Sequence, residues 1–273
     1  MVRPMIRGWP WARLVFGLAV AASLAAIART LGGGDVPWWC LVTIALTLLS
    51  SIGAGVFILG SGLFARPILA VDPTRAGDRL AITFDDGPDE EHTRAVAALL
   101  EARGHRGTFF VIGRRAAAAP SLLAELVRRG HGLGNHSFTH AYTTPFQHPK
   151  QLAADLERAQ QLFAQAGARV RFFRPPVGLL SPRVVEAARR IGLTIVGWSA
   201  TARDGRASTT AQQAAARLIA AARPGAILVL HDAAERGARV PVAAAALVPL
   251  LDALAARGLR SVTLDELIGN EEN

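Results

Sequence analysis

The side chains able to do chemistry gather in a few short segments. Asp85 and Asp86 stand together after the apolar run Arg79–Phe84 and before Gly87-Pro88. Adjacent carboxylates at a strand end can form an ordinary turn, or they can divide the work of a metal ligand and a general base. His136 and His140 follow the run Gly132–Asn135. If that segment turns helically, residues four apart share a face and both imidazoles reach one ion. His231 closes the apolar run Ala226–Leu230 and precedes Asp232; it is a satisfied core histidine or a group that titrates near neutral pH. Arg174 leads into Pro175-Pro176, and Asp204 follows the run that ends at Trp198. Asp86, His136 and His140 together offer two imidazoles and one carboxylate. That donor set suits Zn2+ with positions left open for water and substrate, and Co2+ or Fe2+ fits it as well. Cys40 is the single cysteine and lies in an apolar run, so sulfur cannot build a metal cluster and no disulfide forms within the chain. His92, His105, His131 and His148 form no such pair after a strand and read as surface or structural residues.

These groups need elements to position them. From Asp78 onward, short β-like runs (79–84, 108–112, 132–135, 171–174, 194–198, 226–231, 260–264) alternate with helical patterns (92–103, 116–129, 149–166, 182–190, 210–222, 242–257). Such alternation predicts an α/β fold with a mainly parallel sheet. Seven strand candidates suit a small, incomplete barrel, whose chemistry would sit at the carboxyl ends of its strands. Ser181-Pro182 reads as an N-cap followed by proline at the first helical position, and Gly104, Gly130, Gly167 and Gly258 follow helix ends.

With the segments placed in order, a resemblance emerges. Thr83-Phe84-Asp85-Asp86-Gly87-Pro88, His136-Ser137-Phe138-Thr139-His140, Phe173-Arg174-Pro175-Pro176-Val177-Gly178, Trp198-Ser199 through Asp204, and Leu228-Val229-Leu230-His231-Asp232 resemble the polysaccharide deacetylase family, carbohydrate esterases with the NodB homology domain. The resemblance runs from about Arg79 to Leu267. It implies a deformed (β/α) barrel of the NodB type. It implies Asp85 as catalytic base, Asp86, His136 and His140 as metal ligands, and His231 as catalytic acid. Arg174 would orient the base, Asp204 would support the acid, and a backbone N–H near Val177 would bind the oxyanion. The sequence departs from the family pattern where an aromatic residue is common (Val177), where Asp is common (Thr201) and where Trp is common (Gly205). All these departures fall on the substrate groove, so a smaller or lipid-linked sugar competes with a long N-acetylglucosamine polymer as substrate.

Ahead of this domain (67–273) lies a different composition. Residues 1–66 are nearly free of acidic groups, although hydrophobic residues make up 51% of the 273-residue chain as a whole. Trp11 to Ala28 and Trp38 to Phe64 are apolar runs long enough to cross a bilayer, which takes ~20 residues. Trp9, Trp11, Trp38 and Trp39 stand at their ends, as interfacial aromatics do. A helical hairpin contacting the lipid bilayer through residues 11–64 is the simplest reading. Ala26-Ile27-Ala28 also resembles a signal-peptidase site, so the first run could instead be removed. Arg3, Arg7 and Arg13 before the pair and Arg66, Arg75 and Arg79 after it lean, by the positive-inside rule, toward a cytoplasmic domain on a bacterial inner membrane; a single span would place it in the periplasm. The net charge of +9 comes from arginines scattered along helical segments without interleaved aromatics, which argues against nucleic acid as partner.

The expectation is therefore a membrane-anchored, metal-dependent hydrolase that removes an N-acyl group, acetyl or formyl, from a sugar of a glycan or glycolipid. Two alternatives are a deformylase or deacetylase of a polyprenyl-phosphate-linked sugar on the cytoplasmic face, and a non-catalytic carbohydrate-binding relative. Metal content together with amine release separates the enzyme from the binding protein.

Overall fold

The computed structural model describes residues 5–7, 11–234 and 240–269; Arg3 and Trp9, invoked above, lie outside them. The chain opens with β1 (Met5–Arg7), α1 (Trp11–Leu31) and α2 (Trp38–Phe57). The two helices pack against each other, and both are long and apolar enough to cross a membrane. A 3-10 turn at Leu59–Ser61 leads to β2 (Ile68–Val71), which pairs antiparallel with β1, and to α3 (Pro73–Ala76).

Then come β3 (Arg79–Asp85), α4 (His92–Ala102), β4 (Gly107–Val111), α5 (Gly113–Ala118), α6 (Pro120–Arg128), β5 (Gly132–Asn135) and α7 (Pro149–Gln165). The second half runs β6 (Phe172–Phe173), α8 (Pro182–Arg190), β7 (Thr194–Ile195), β8 (Ala200–Thr201), α9 (Ala211–Ala221), β9 (Ile227–His231), α10 (Ala243–Ala256), β10 (Arg260–Ser261) and α11 (Leu264–Ile268).

The strands form one curled sheet in the order β7-β6-β5-β4-β3-β9-β8, every pair parallel, with β10 added at the start of β3. The result is a half-barrel wrapped in helices. β2 joins it through a bridge from Ile68 to Val196, just after β7, and another from Ala70 to Ala226, just before β9. Parallel strands covered on both faces read as unbroken apolar runs, and β3 is buried from Leu80 to Asp85. Phe84 and Phe109 stack at 4.9 Å within the main core, where the apolar faces of α4, α6, α9 and α10 close over the sheet.

Several expected boundaries change. The helix expected over 116–129 is divided at Pro120, whose ring cannot continue a helix in its interior, so it opens α6 instead. The runs 171–174, 194–198 and 260–264 shorten to two-residue strands, and β1, β2 and β8 are additional. Ser181 caps α8 as expected, accepting a hydrogen bond from the Val184 N–H at 3.3 Å.

Residues 54–63 are not a loose tether. Leu59 joins a core cluster with Leu180, Val184 and Phe173, and the Leu180 N–H donates to the Val56 carbonyl at 3.1 Å.

Candidate active site

The parallel register fixes the centre of the site. Asp85, the last residue of β3, stands opposite His231, the last residue of β9, so both leave the sheet at its carboxyl edge. Asp86 continues from β3, while His136 follows β5 and Arg174 follows β6. One pocket is lined by Asp85, Asp86, His136, His140 and His231, with Val177, Gly178, Trp198, Thr201, Gly205 and Val229 around them.

Asp86 Oδ1 lies 3.5 Å from His136 Nε2 and 3.2 Å from His140 Nε2. The three candidate ligand atoms fall within 4.8 Å of one another and all three residues are buried. The Arg174 carbonyl lies 2.8 Å from His136 Nδ1, so a proton on Nδ1 leaves the Nε2 lone pair aimed at the cluster. Without an ion, burial opposes charge on Asp86, but hydrogen bonds from His136 and His140, with Nε2 then carrying the proton, outweigh it and hold the carboxyl well below the usual range. Burial likewise disfavours a charged His136, and the carboxylates of Asp85 and Asp86 override it, raising its pKa. These hard and borderline donors, preoriented and shielded from water, suit a divalent ion.

The route to this convergence differs from the helical turn expected for 136–140. Ser137 and His140 have φ of 64° and 51°, and the His140 N–H donates to Ser137 Oγ at 2.9 Å. A tight turn, not a helix, brings the imidazoles together. The Ser137 N–H in turn donates to Asn135 Oδ1 at 2.8 Å, and the Phe138 N–H to Asp155 Oδ2 at 2.7 Å. Asp86, Val177 and Arg203 are also left-handed, with φ of 74°, 58° and 55°. Such non-glycine conformations are costly and persist where the surroundings enforce them. Here all five lie in or beside the pocket.

Asp85 is held by Arg174. Arg174 Nη1 lies 2.6 Å from Asp85 Oδ1 and 2.9 Å from Thr83 Oγ1, and Nη2 donates to the Gly197 carbonyl at 2.8 Å. The guanidinium lies 4.0 Å from the centre of the Phe110 ring and is wholly buried. On the other side, His231 Nδ1 lies 2.8 Å from Asp204 Oδ1, while the His231 N–H donates to Asp204 Oδ2, also at 2.8 Å. Burial would hold this imidazole neutral, but the hydrogen bond and charge of Asp204 prevail and its pKa is pushed up to about 9. The structure thus gathers Asp85, Asp86, His136, His140, Arg174, Asp204 and His231 around one pocket. His105 and His131 lie apart, their Nδ1 atoms accepting from the Ser261 and Gly107 N–H groups at 2.9 and 3.2 Å. His148 caps α7.

The sequence pattern assigns no role to Asp232. It is fully buried and its carboxylate accepts from Thr93 Oγ1. A Cβ at Gly87 would lie 2.4 Å from Asp232 Oδ2, so only glycine lets the chain after Asp86 pass this carboxyl. Burial raises its pKa to about 7. The only signal in the sequence was its place directly after His231. The departures from the family pattern also find positions: Thr201 and Gly205 line the pocket, and a Cβ at Gly205 would lie 3.6 Å from His231 Cε1.

Comparison with known proteins supplies the class. Residues 72–196 match the family model for polysaccharide deacetylase. A peptidoglycan-N-acetylglucosamine deacetylase of Bacillus cereus is 33% identical over 191 residues, covering 69% of this chain and 87% of that protein. The peptidoglycan-N-acetylglucosamine deacetylase PgdA of Listeria monocytogenes is 31% identical over 201 residues, 74% of this chain but 41% of the longer relative. Among solved structures, a family 4 acetyl xylan esterase from Clostridium thermocellum in complex with a cobalt ion superimposes with a TM-score of 0.63 at 33% identity, covering 70% of this chain and 90% of that one. The chain belongs to the polysaccharide deacetylase family, carbohydrate esterase family 4.

Proposed function

We propose that this chain is a metal-dependent hydrolase that removes an N-acyl group, acetyl in the first instance, from an amino sugar of a glycan or glycolipid. The observation that carries the reading is the pocket itself. A three-donor cluster shares it with an Arg-held carboxylate on one side and an Asp-held imidazole on the other. The names of the relatives, deacetylases of N-acetylglucosamine in peptidoglycan, support the acyl group and the sugar class.

Asp86, His136 and His140 would hold the ion, Zn2+ in our reading, with Co2+ or Fe2+ as substitutes. When bound, such an ion supplies Lewis acidity toward the acyl oxygen and lowers the pKa of water. Asp85 takes the proton of the attacking water, and Arg174 keeps its carboxylate aimed at the pocket. The Val177 N–H, presented by a left-handed residue on the pocket wall, stabilises the developing oxyanion without calling on any side chain. His231, kept protonated by Asp204, hands a proton to the departing amine, which would otherwise leave poorly.

Residues 11–64 serve in this proposal as the membrane anchor, with residues 67–273 as the catalytic domain. The flanking arginines favour the cytoplasmic side, whereas peptidoglycan, the substrate in the relatives' names, favours the outer one. A carboxyl-terminal phosphatase fusion that is active while a cytosolic reporter stays dark would place the domain outside. The functional test is release of amine and free acyl acid from N-acetylated and N-formylated sugars. Activity should disappear in Asp85→Asn, and the acid released identifies the acyl group.

A further inference from the structure

The anchor and the catalytic pocket lie at the same end of the half-barrel. The Val56 carbonyl near the end of α2 accepts from Leu180, two residues beyond the Gly178 that lines the pocket. A Cβ at Gly197 would come within 2.6 Å of Leu59 Cδ2, and Gly197 adjoins the pocket residue Trp198. Arg13, in the first turn of α1, donates to the Leu63 carbonyl at 2.9 Å. The hairpin therefore leaves the domain beside the carboxyl ends of β6 and β7, next to the mouth of the site.

The same mouth carries most of the domain's exposed apolar side chains. Beyond the hairpin, the large hydrophobic residues exposed among the described residues are Tyr142, Phe146, Val177, Val240 and Val248. Tyr142 and Phe146 follow β5, Val177 follows β6 and Val240 follows β9, all on loops at the carboxyl edge; only Val248 lies elsewhere, on α10. Phe146 is 73% exposed, although its backbone is fixed by Arg183 Nη1 donating to its carbonyl at 2.5 Å. Isolated exposed apolar residues need no explanation, but four of these five standing on one edge do. Exposed Arg114, Arg183, Arg203 and Arg206 stand on this edge too, against exposed Glu90 and Glu91. Apolar tips among basic side chains are how proteins seat themselves in an anionic headgroup layer.

We infer that the lip of the active site is itself a bilayer-binding surface. Phe146 and the other apolar residues of this edge enter the headgroup region, and the pocket opens onto sugars held at the membrane plane. The inference rests on the hairpin being inserted, and continuity of the lip with the hairpin end names the bilayer as occupant.

The test uses the full chain in phosphatidylglycerol-containing vesicles. Single-cysteine variants Leu46→Cys (middle of α2), Phe146→Cys and Val248→Cys, each made in a Cys40→Ala background, carry an environment-sensitive fluorophore. Quenching by brominated lipid is compared with quenching by iodide. The Leu46 and Phe146 labels should be quenched by lipid and several-fold less by iodide than the Val248 label. A lipid-quenched Leu46 label beside a Phe146 label that behaves like Val248 would overturn the inference and leave the anchor standing. An iodide-accessible Leu46 label would sink both. Protection of the Phe146 label by soluble acetylated oligosaccharide, with no effect of brominated lipid, would make the lip a sugar-binding surface and also overturn the inference.

Discussion

Arg174 and Asp85 form an ion pair 2.6 Å long in which the guanidinium has no exposed surface and the carboxylate side chain only 7%. The pair sits between the sheet and the pocket, tied to Thr83 and to the Gly197 carbonyl. Removing Arg174 strands the largely buried Asp85 carboxylate without its counter-charge. Arg174→Met should therefore lower unfolding free energy by about 3–5 kcal/mol, read by urea denaturation. Arg174→Lys keeps the charge but loses the planar fork that reaches Asp85 and Gly197 together. It should retain much of the stability while losing activity by about 10²-fold, the low end of what a positioned base contributes. Equal losses of stability in the two variants would contradict the positioning role.

His231 and Asp204 give a pH prediction. The histidine's pKa stands near 9, above its ordinary value of 6.5, so it is the charged donor throughout the neutral range. A raised histidine pKa contributes stability that is complete below 6.5 and is lost as pH climbs through 9. Activity limited by this acid should fall on the alkaline side near pH 9. In Asp204→Asn only burial and the more distant carboxylates remain to act, so the alkaline limb of the pH–rate profile should move toward acid. An unmoved limb would detach His231 from the proton transfer.

Asp232 and Gly87 predict stability rather than catalysis. Asp232 has its pKa raised from 3.8 to about 7 by burial, so the folded protein binds its proton more tightly than the unfolded chain does. The sign follows: its contribution is favourable below pH 4 and is lost as pH rises through 7. In metal-stripped protein, stability measured against Asp232→Asn should decline across that window. Gly87→Ala, which drives a Cβ into the same carboxyl, should cost about 1–3 kcal/mol by overpacking.

Leu59 tests where the catalytic domain begins. Its side chain is 7% exposed and packs with Leu180 and Phe173, although it precedes the proposed boundary at 66/67. A chain starting at Ile58 should melt higher than one starting at Arg66, because truncating a buried leucine commonly costs 2–5 kcal/mol. Equal melting temperatures would show that the Leu59 segment adds nothing to the domain.

Much of the candidate site was legible because polar residues closing apolar runs are conspicuous. Asp85, His231 and Arg174 each end such a run, and the β3–β9 register then sets Asp85 opposite His231. A helical turn would bring the histidine pair together, but the structure uses left-handed residues at Ser137 and His140 instead. Ordinary side chains give no sign of a positive φ; hydrogen bonds from Asn135 and Asp155 impose this conformation from outside the motif. The Asp232–Thr93 contact was invisible for a related reason, since its partners are 139 positions apart. Two-residue strands such as Ala200–Thr201 carry no periodicity, and β2 is defined by its pairing with β1 and its bridges to Val196 and Ala226 rather than by its own sequence.

In the proposed function, Asp86, His136 and His140 hold a divalent ion on which amide hydrolysis depends. Metal content and amine release measured together on the wild-type chain, His136→Ala and His148→Ala test it most directly. The expected result is one ion per chain and full activity in wild type and His148→Ala, with both lost in His136→Ala. Equal metal and equal amine release in the two variants would contradict the assignment.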